Sequence, residues 1–123
     1  MKIYEYEIAK NYVSTPMMKD YLSNSAIGNL ITNVMAKSIQ SRGDLKFDFL
    51  ILNGGGFRST WYPGVIRYAE LHSMLPFDNE VYSFKISGRD LKSMLEIVQN
   101  GVKRYYPTWG LQQKFLLNPS KQF

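Results

Sequence analysis

The length, composition and charge of this chain exclude several classes of protein. Its 123 residues are 45% hydrophobic and 20% charged, so they suffice for one globular domain, residues 1–123, and are too apolar for a disordered chain. Cysteine is absent, which excludes disulfides, thiolate catalysis and cysteine metal sites. The net charge of +5 comes from scattered basic residues with no basic run, so we expect anionic ligands or partners but no nucleic acid.

The N-terminal residues argue against export. Glu5 and Glu7 lie where a signal peptide needs an apolar core, and no apolar run is long enough to cross a bilayer. We therefore expect no membrane span and an intracellular location.

The first third of the chain predicts a strand followed by a helix. Residues 3–8 alternate polar and apolar side chains, as a strand does. Between residues 25 and 41, apolar side chains recur every three or four positions, which predicts an amphipathic helix. Ser23 or Asn24 would cap its start, and Gly43 follows its end.

A glycine-rich loop is the main candidate for a ligand site. Residues 47–52 predict a buried strand that ends in Asn53 and three glycines, followed by Phe57 and Arg58. Glycines without Cβ atoms let backbone N–H groups approach a ligand, and they adopt positive φ at little cost. Asn53 adds an amide and Arg58 a cationic fork for carboxylate or phosphate. The run matches neither a P-loop nor a dinucleotide fingerprint, and a simple glycine turn with a solvated arginine remains the alternative.

The second half of the chain completes an α/β layout. We expect a turn at 62–64, a short helix over 68–74, a strand over 81–86, a helix from Arg89 to Gly101 and a weak strand over 114–117. The apolar face of the second of these helices would be buried through Leu91, Met94, Leu95 and Val98.

Residues for catalysis are lacking. A two-metal phosphoesterase site needs several clustered His and Asp ligands, whereas this chain has one histidine, His72. We expect a structural role for His72, at the surface or half-buried. The carboxylates show no metal-ligand spacing, and no motif indicates a serine nucleophile.

Four short motifs in this order resemble the C-terminal domain of the 5'-nucleotidase family over about residues 8–121. They are residues 28–31 (GNLI), 52–58 (LNGGGFR), 75–79 (LPFDN) and 87–91 (SGRDL). The resemblance implies an α/β (α+β) fold with mixed sheets and flanking helices. It also implies nucleoside recognition here and hydrolysis by a separate domain that uses divalent metals, with no cofactor in this chain.

The resemblance implies a substrate-binding role for Asn53, Gly55, Arg58 and Phe77. The first three match positions that contact the ligand, and Phe77 matches a ring that stacks on the nucleobase, as aromatic side chains do in general. The alternative for Phe77 is an ordinary core aromatic beside Pro76.

Some positions depart from the family pattern. Tyr21 stands where the family usually has an arginine, which removes an anion contact, and Ala26 stands where it often has Asn. Asn118 replaces a usual Asp, and the chain ends before the family's second stacking phenylalanine. We therefore expect a partial domain with unpaired strand edges.

Three functions follow from this comparison. The chain is the recognition part of a nucleotidase whose catalytic part lies elsewhere, a weak nucleoside-binding module, or a structural subunit of an assembly. In the last case another chain or a second copy would complete the sheet and pack against Trp109, Phe115 and Phe123, and an acidic partner surface would suit the net charge.

Overall fold

The structure of the protein is a computed structural model that describes residues 2–12, 25–43, 45–101 and 106–111. Predictions for Tyr21, the strand over 114–117, Phe115, Asn118 and Phe123 lie outside the described residues. No described helix combines the length and the apolar character needed to cross a membrane.

Helix α1 (Ala26–Arg42) forms where the apolar periodicity predicts it. Its N-cap is Ser25, whose Oγ accepts a hydrogen bond from the Gly28 N–H at 3.1 Å, and not either of the two residues before it that we predicted. Gly43 ends the helix in the left-handed conformation, with φ of 74°. The sequence of this segment therefore predicts the helix and its C-terminal end, but not the residue that caps its start.

The strands of the described residues form two separate antiparallel pairs. They are β1 (Glu7–Asn11), β2 (Leu50–Ile51), β3 (Gly64–Arg67) and β4 (Thr108–Trp109). β1 pairs with β3, and β2 pairs with β4. The architecture is α+β, as expected, but the described sheets are antiparallel rather than mixed.

Helix α2 (Tyr68–Met74) has the predicted bounds, and helix α3 (Gly88–Gly101) begins one residue earlier than predicted. Ser87 caps α3, because its Oγ accepts a hydrogen bond from the Asp90 N–H at 3.1 Å. Leu91, Met94 and Leu95 are half-buried instead of buried, and the side chain of Val98, the fourth residue predicted on this face, lies outside the described ones. α3 therefore packs less closely than its pattern predicts.

One core joins α1 to the chain around the glycine loop. The buried apolar side chains that form it are Ile27, Ile31, Phe57, Trp61, Ile66 and Met74. They come from α1, β3, α2 and the segment after the glycines, so the same cluster that stabilises the fold also supports the candidate site.

Three predicted strands are wrong in whole or in part. Residues 3–8 begin with a 3₁₀ turn, Ile3–Glu5, before β1 starts at Glu7. Of residues 47–52, only Leu50–Ile51 form a strand, and these are half-buried. Residues 81–86 belong to no strand, and Tyr82 is 77% exposed. Alternation indicates a potential strand, whereas a strand also needs a neighbour to satisfy its backbone groups.

Strands β3 and β4 were not predicted. β3 begins at Gly64, inside the predicted turn, and runs directly into α2. β4 has only two residues, and its sequence carries no alternation that could reveal it.

Candidate functional site

The glycine loop is a single 3₁₀ turn that Asn53 caps. The Asn53 Oδ1 accepts a hydrogen bond from the Gly55 N–H at 3.1 Å. The turn continues through bonds from the Gly56 N–H to the Asn53 carbonyl at 2.9 Å and from the Phe57 N–H to the Gly54 carbonyl at 3.2 Å. The amide of Asn53 therefore orders the loop, and its side chain is exposed at the loop's edge.

None of the three loop glycines needs a positive φ. Among the described residues, positive φ occurs at Gly43, Gly64 and Gly110. The loop therefore does not use the left-handed backbone that glycine permits. Space does not require glycine at the last two positions either, because a Cβ on Gly55 would make an ordinary contact with the Asn53 Oδ1 at 3.4 Å and nothing lies within 4 Å of a Cβ on Gly56. Gly54 is buried.

Arg58 joins the loop to the end of α2. Its backbone N–H donates to the Met74 carbonyl at 2.8 Å, and its Nη1 donates to the Gly55 carbonyl at 3.4 Å. Its guanidinium carbon lies 5.7 Å from the centroid of the Phe77 ring, within the range of a cation–π contact. The structure thus brings Asn53, Gly55, Arg58 and Phe77 into one continuous set of contacts.

Phe77 is a surface residue and not a core aromatic. Its side chain is 52% exposed, although Leu75, two residues before it, packs against the core. A half-exposed ring with a cation beside it offers a stacking surface to a flat ligand. The alternative that Phe77 fills the core is wrong.

The motif at residues 28–31 is structural in this protein. A Cβ on Gly28 would lie 2.8 Å from the Ser25 Oγ and 3.0 Å from the Pro107 Cγ, so glycine lets α1 approach the chain before β4. The Thr32 hydroxyl donates to the Gly28 carbonyl and is fully buried. Ala26, one of the departures from the family pattern, is the exposed first residue of α1.

His72 packs against tyrosines at the surface. It is exposed, and its ring lies edge-on to Tyr4 at 5.7 Å and beside Tyr68 at 6.4 Å. This agrees with the structural role predicted for it. Within the described parts of the chain, no group of three or more His, Asp or Glu residues is placed to hold a metal ion.

Sequence reasoning missed one residue beside the site. Trp61 is buried, and its indole N–H donates to the Glu70 carbonyl of α2 at 3.3 Å. The acceptor is a main-chain carbonyl, so no side-chain motif could have revealed this contact.

Comparisons with known proteins agree with the resemblance seen in the motifs. The family model described as 5'-nucleotidase, C-terminal domain, matches residues 7–122. A probable 5'-nucleotidase of Treponema pallidum is 38% identical over 72 residues, which are 58% of this chain and 12% of that protein. An endonuclease of Bacillus subtilis, YhcR, is 33% identical over 72 residues, 58% of this chain and 5% of that protein.

Among solved structures, a 5'-nucleotidase precursor from Thermus thermophilus shares the fold. The TM-score is 0.50 at 24% identity, and the match covers 60% of this chain and 14% of that one. This chain therefore spans a small part of the length of the proteins that it matches.

Proposed function

Because the chain belongs to the 5'-nucleotidase C-terminal domain family, we propose that it is a nucleotide-recognition module that does not hydrolyse nucleotides by itself. In this proposal Phe77 stacks on the nucleobase, while Arg58, Asn53 and the Gly55 backbone supply polar contacts. The catalytic metal ions of such a phosphohydrolase would be held elsewhere.

The observation that carries the proposal is the Arg58–Phe77 pair beside the capped glycine loop. The pair combines a half-exposed aromatic ring with a guanidinium 5.7 Å from its centroid. A nucleobase has a π face that stacks on such a ring, and its carbonyl groups or a phosphate accept hydrogen bonds from a guanidinium. A ligand of this kind uses both residues at once.

The chemistry of the chain supports a non-catalytic role. A two-metal centre takes several His and Asp ligands, and the one histidine of this sequence packs against Tyr4 and Tyr68. We expect no hydrolysis of AMP by the isolated chain with any added divalent metal. Turnover that copurifies with the chain and disappears in Arg58→Ala would contradict this part of the proposal.

Binding is tested by titrating adenosine and AMP into isotope-labelled protein. Phe77→Leu and Arg58→Gln should each weaken binding by about 1 to 3 kcal/mol, the loss typical of a stacked base or a charged hydrogen bond. Matched controls are Phe84→Leu and Arg89→Gln, because both residues are exposed and lie outside the site. Unchanged chemical shifts at Arg58 and Phe77 with millimolar nucleoside would refute recognition.

A second candidate function is that of a subunit in an assembly. Residues 78–87 form no described strand, and Val81, Tyr82 and Phe84 are 48%, 77% and 68% exposed. We propose that another chain or a second copy pairs with this segment, since exposed alternating segments invite strand addition. The net charge of +5 favours an acidic partner surface.

Light scattering on the purified chain tests the assembly. We expect a dimer or a larger species, and we expect Phe84→Ser to weaken association without changing nucleoside binding. Trp109 is less suited to a partner contact than predicted, because it is half-buried and packs edge-on against Phe47 at 5.7 Å. A cooperatively folding monomer that binds no apolar dye would count against the assembly.

A further inference from the structure

The position of α2 decides where the Phe77 ring lies. α2 has only seven residues, and a helix this short is not stable without tertiary contacts. Phe77 comes three residues after the last residue of α2, and Pro76 restricts the backbone between them. Whatever holds α2 in place therefore also places Phe77 relative to Arg58.

Two hydrogen bonds attach α2 to the segment that follows the glycine loop. The Arg58 backbone N–H donates to the Met74 carbonyl at 2.8 Å, and the Trp61 indole N–H donates to the Glu70 carbonyl at 3.3 Å. The two acceptors are four residues apart, so they lie about one turn apart on the same side of the helix. A third hydrogen bond, from the Tyr68 N–H to the Tyr6 carbonyl at 2.9 Å, holds the start of α2. The bond at Glu70 lies between the two end attachments and fixes the rotation of the helix about its axis.

Trp61 is itself held firmly. Its side chain is 7% exposed and belongs to the core cluster with Phe57, Ile66 and Met74. A buried indole N–H needs an acceptor, and here the acceptor is the carbonyl of α2. The ring thus connects the packed core to the helix that precedes Phe77.

We propose that Trp61 is a positioning residue for the Arg58–Phe77 pair. Its hydrogen bond to Glu70 keeps α2 at the rotation that brings the Phe77 ring to the guanidinium. Without this bond α2 keeps its attachments at Tyr68 and Met74 and can turn about the line between them, so the ring moves away from Arg58. The effect on the pair follows from the geometry of the free protein, whereas the effect on nucleoside binding rests on the proposed function.

The test is a double-mutant cycle read by NMR on the free protein. Phe77→Leu removes the ring and so reports how far Phe77 shifts the side-chain resonances of Arg58. We expect this Phe77-dependent shift to fall by about half or more in Trp61→Phe, which keeps an aromatic ring but removes the N–H. The matched control is Trp109→Phe in β4, which should leave the shift unchanged.

Nucleoside binding gives a second reading. Trp61→Phe should weaken adenosine binding about 2- to 10-fold, the effect of one hydrogen bond, and Trp109→Phe should not. If adenosine does not bind the unmodified chain, this result counts against the proposed function only. The role of Trp61 is still tested by the Phe77-dependent shift of Arg58 in the free protein. A Phe77-dependent shift of the same size in Trp61→Phe overturns the proposal.

A further variant separates positioning from simple packing. Benzothienylalanine at position 61 preserves the shape of the indole and replaces its N–H with sulfur, so it keeps the core filled if Trp61→Phe does not fold. A reduced Phe77-dependent shift with an unchanged unfolding midpoint supports positioning. An unchanged shift shows that packing alone places the helix.

Discussion

Replacing Gly110 with alanine tests how closely β4 must approach β2. Gly110 has φ of 82°, and a Cβ there would lie inside contact distance of the Asp48 carbonyl oxygen and 3.1 Å from the Phe49 Cα. Gly43 is a matched control, because its φ is 74° and nothing lies within 4 Å of a Cβ built on it. The two positions share the backbone conformation and differ in the available space.

The expected magnitudes follow from this difference. Gly43→Ala should cost about 1 kcal/mol of stability, since the left-handed strain is partly offset by a less flexible unfolded chain. Gly110→Ala carries the same strain and must also push β4 away from the backbone at Asp48. Overpacking of this kind costs about 1 to 3 kcal/mol of stability. We expect a loss of about 2 to 4 kcal/mol in all for Gly110→Ala.

Urea unfolding followed by circular dichroism measures both variants. With a slope of about 1.5 kcal/mol per molar urea, each kcal/mol moves the midpoint by about 0.7 M. Because the Leu52 N–H donates to the Pro107 carbonyl at 2.9 Å, we also expect Gly110→Ala to shift the Asn53 amide resonances, and Gly43→Ala to leave them unchanged. Equal midpoints for the two variants would refute the steric argument.

Two smaller predictions concern a helix cap and a tyrosine. Ser25→Ala removes the acceptor of the Gly28 N–H and should destabilise the protein by about 1 kcal/mol in urea unfolding. The control is Ser41→Ala, at the exposed far end of α1, which should have almost no effect. Equal losses of stability in the two variants would contradict the capping role of Ser25. The Tyr82 hydroxyl donates to the Glu80 carboxylate, which raises the pKa of Tyr82 above its usual value. Glu80→Gln should therefore lower that pKa, and an ultraviolet titration in which the Tyr82 ionisation does not move to lower pH would contradict the assignment.

The helices of this protein could be predicted from the sequence, because the residues that specify each helix lie within it or next to it. The apolar period and Gly43 predict α1 without any tertiary information. The bounds of α2 and the start of α3 also follow from nearby residues. The motifs at 52–58 and 75–79 identified the family and the side chains that meet in the site.

The arrangement of those side chains required the tertiary structure. Arg58 lies against Phe77 because its main-chain N–H donates to the Met74 carbonyl. A main-chain hydrogen bond of this kind cannot be predicted from residue types. The conformation of the glycine loop also required the structure, because it is a 3₁₀ turn capped by the Asn53 side chain, which the glycines alone do not specify.

The strands show most clearly what the sequence predicts and what only the tertiary structure decides. Residues 81–86 alternate as a strand should, yet they form none in the described structure, while the two-residue β4 has no alternation and pairs with β2. A helix satisfies its backbone groups within one segment, so its sequence suffices to specify it. A strand satisfies them through a distant neighbour, so its existence is decided only when the whole chain has folded.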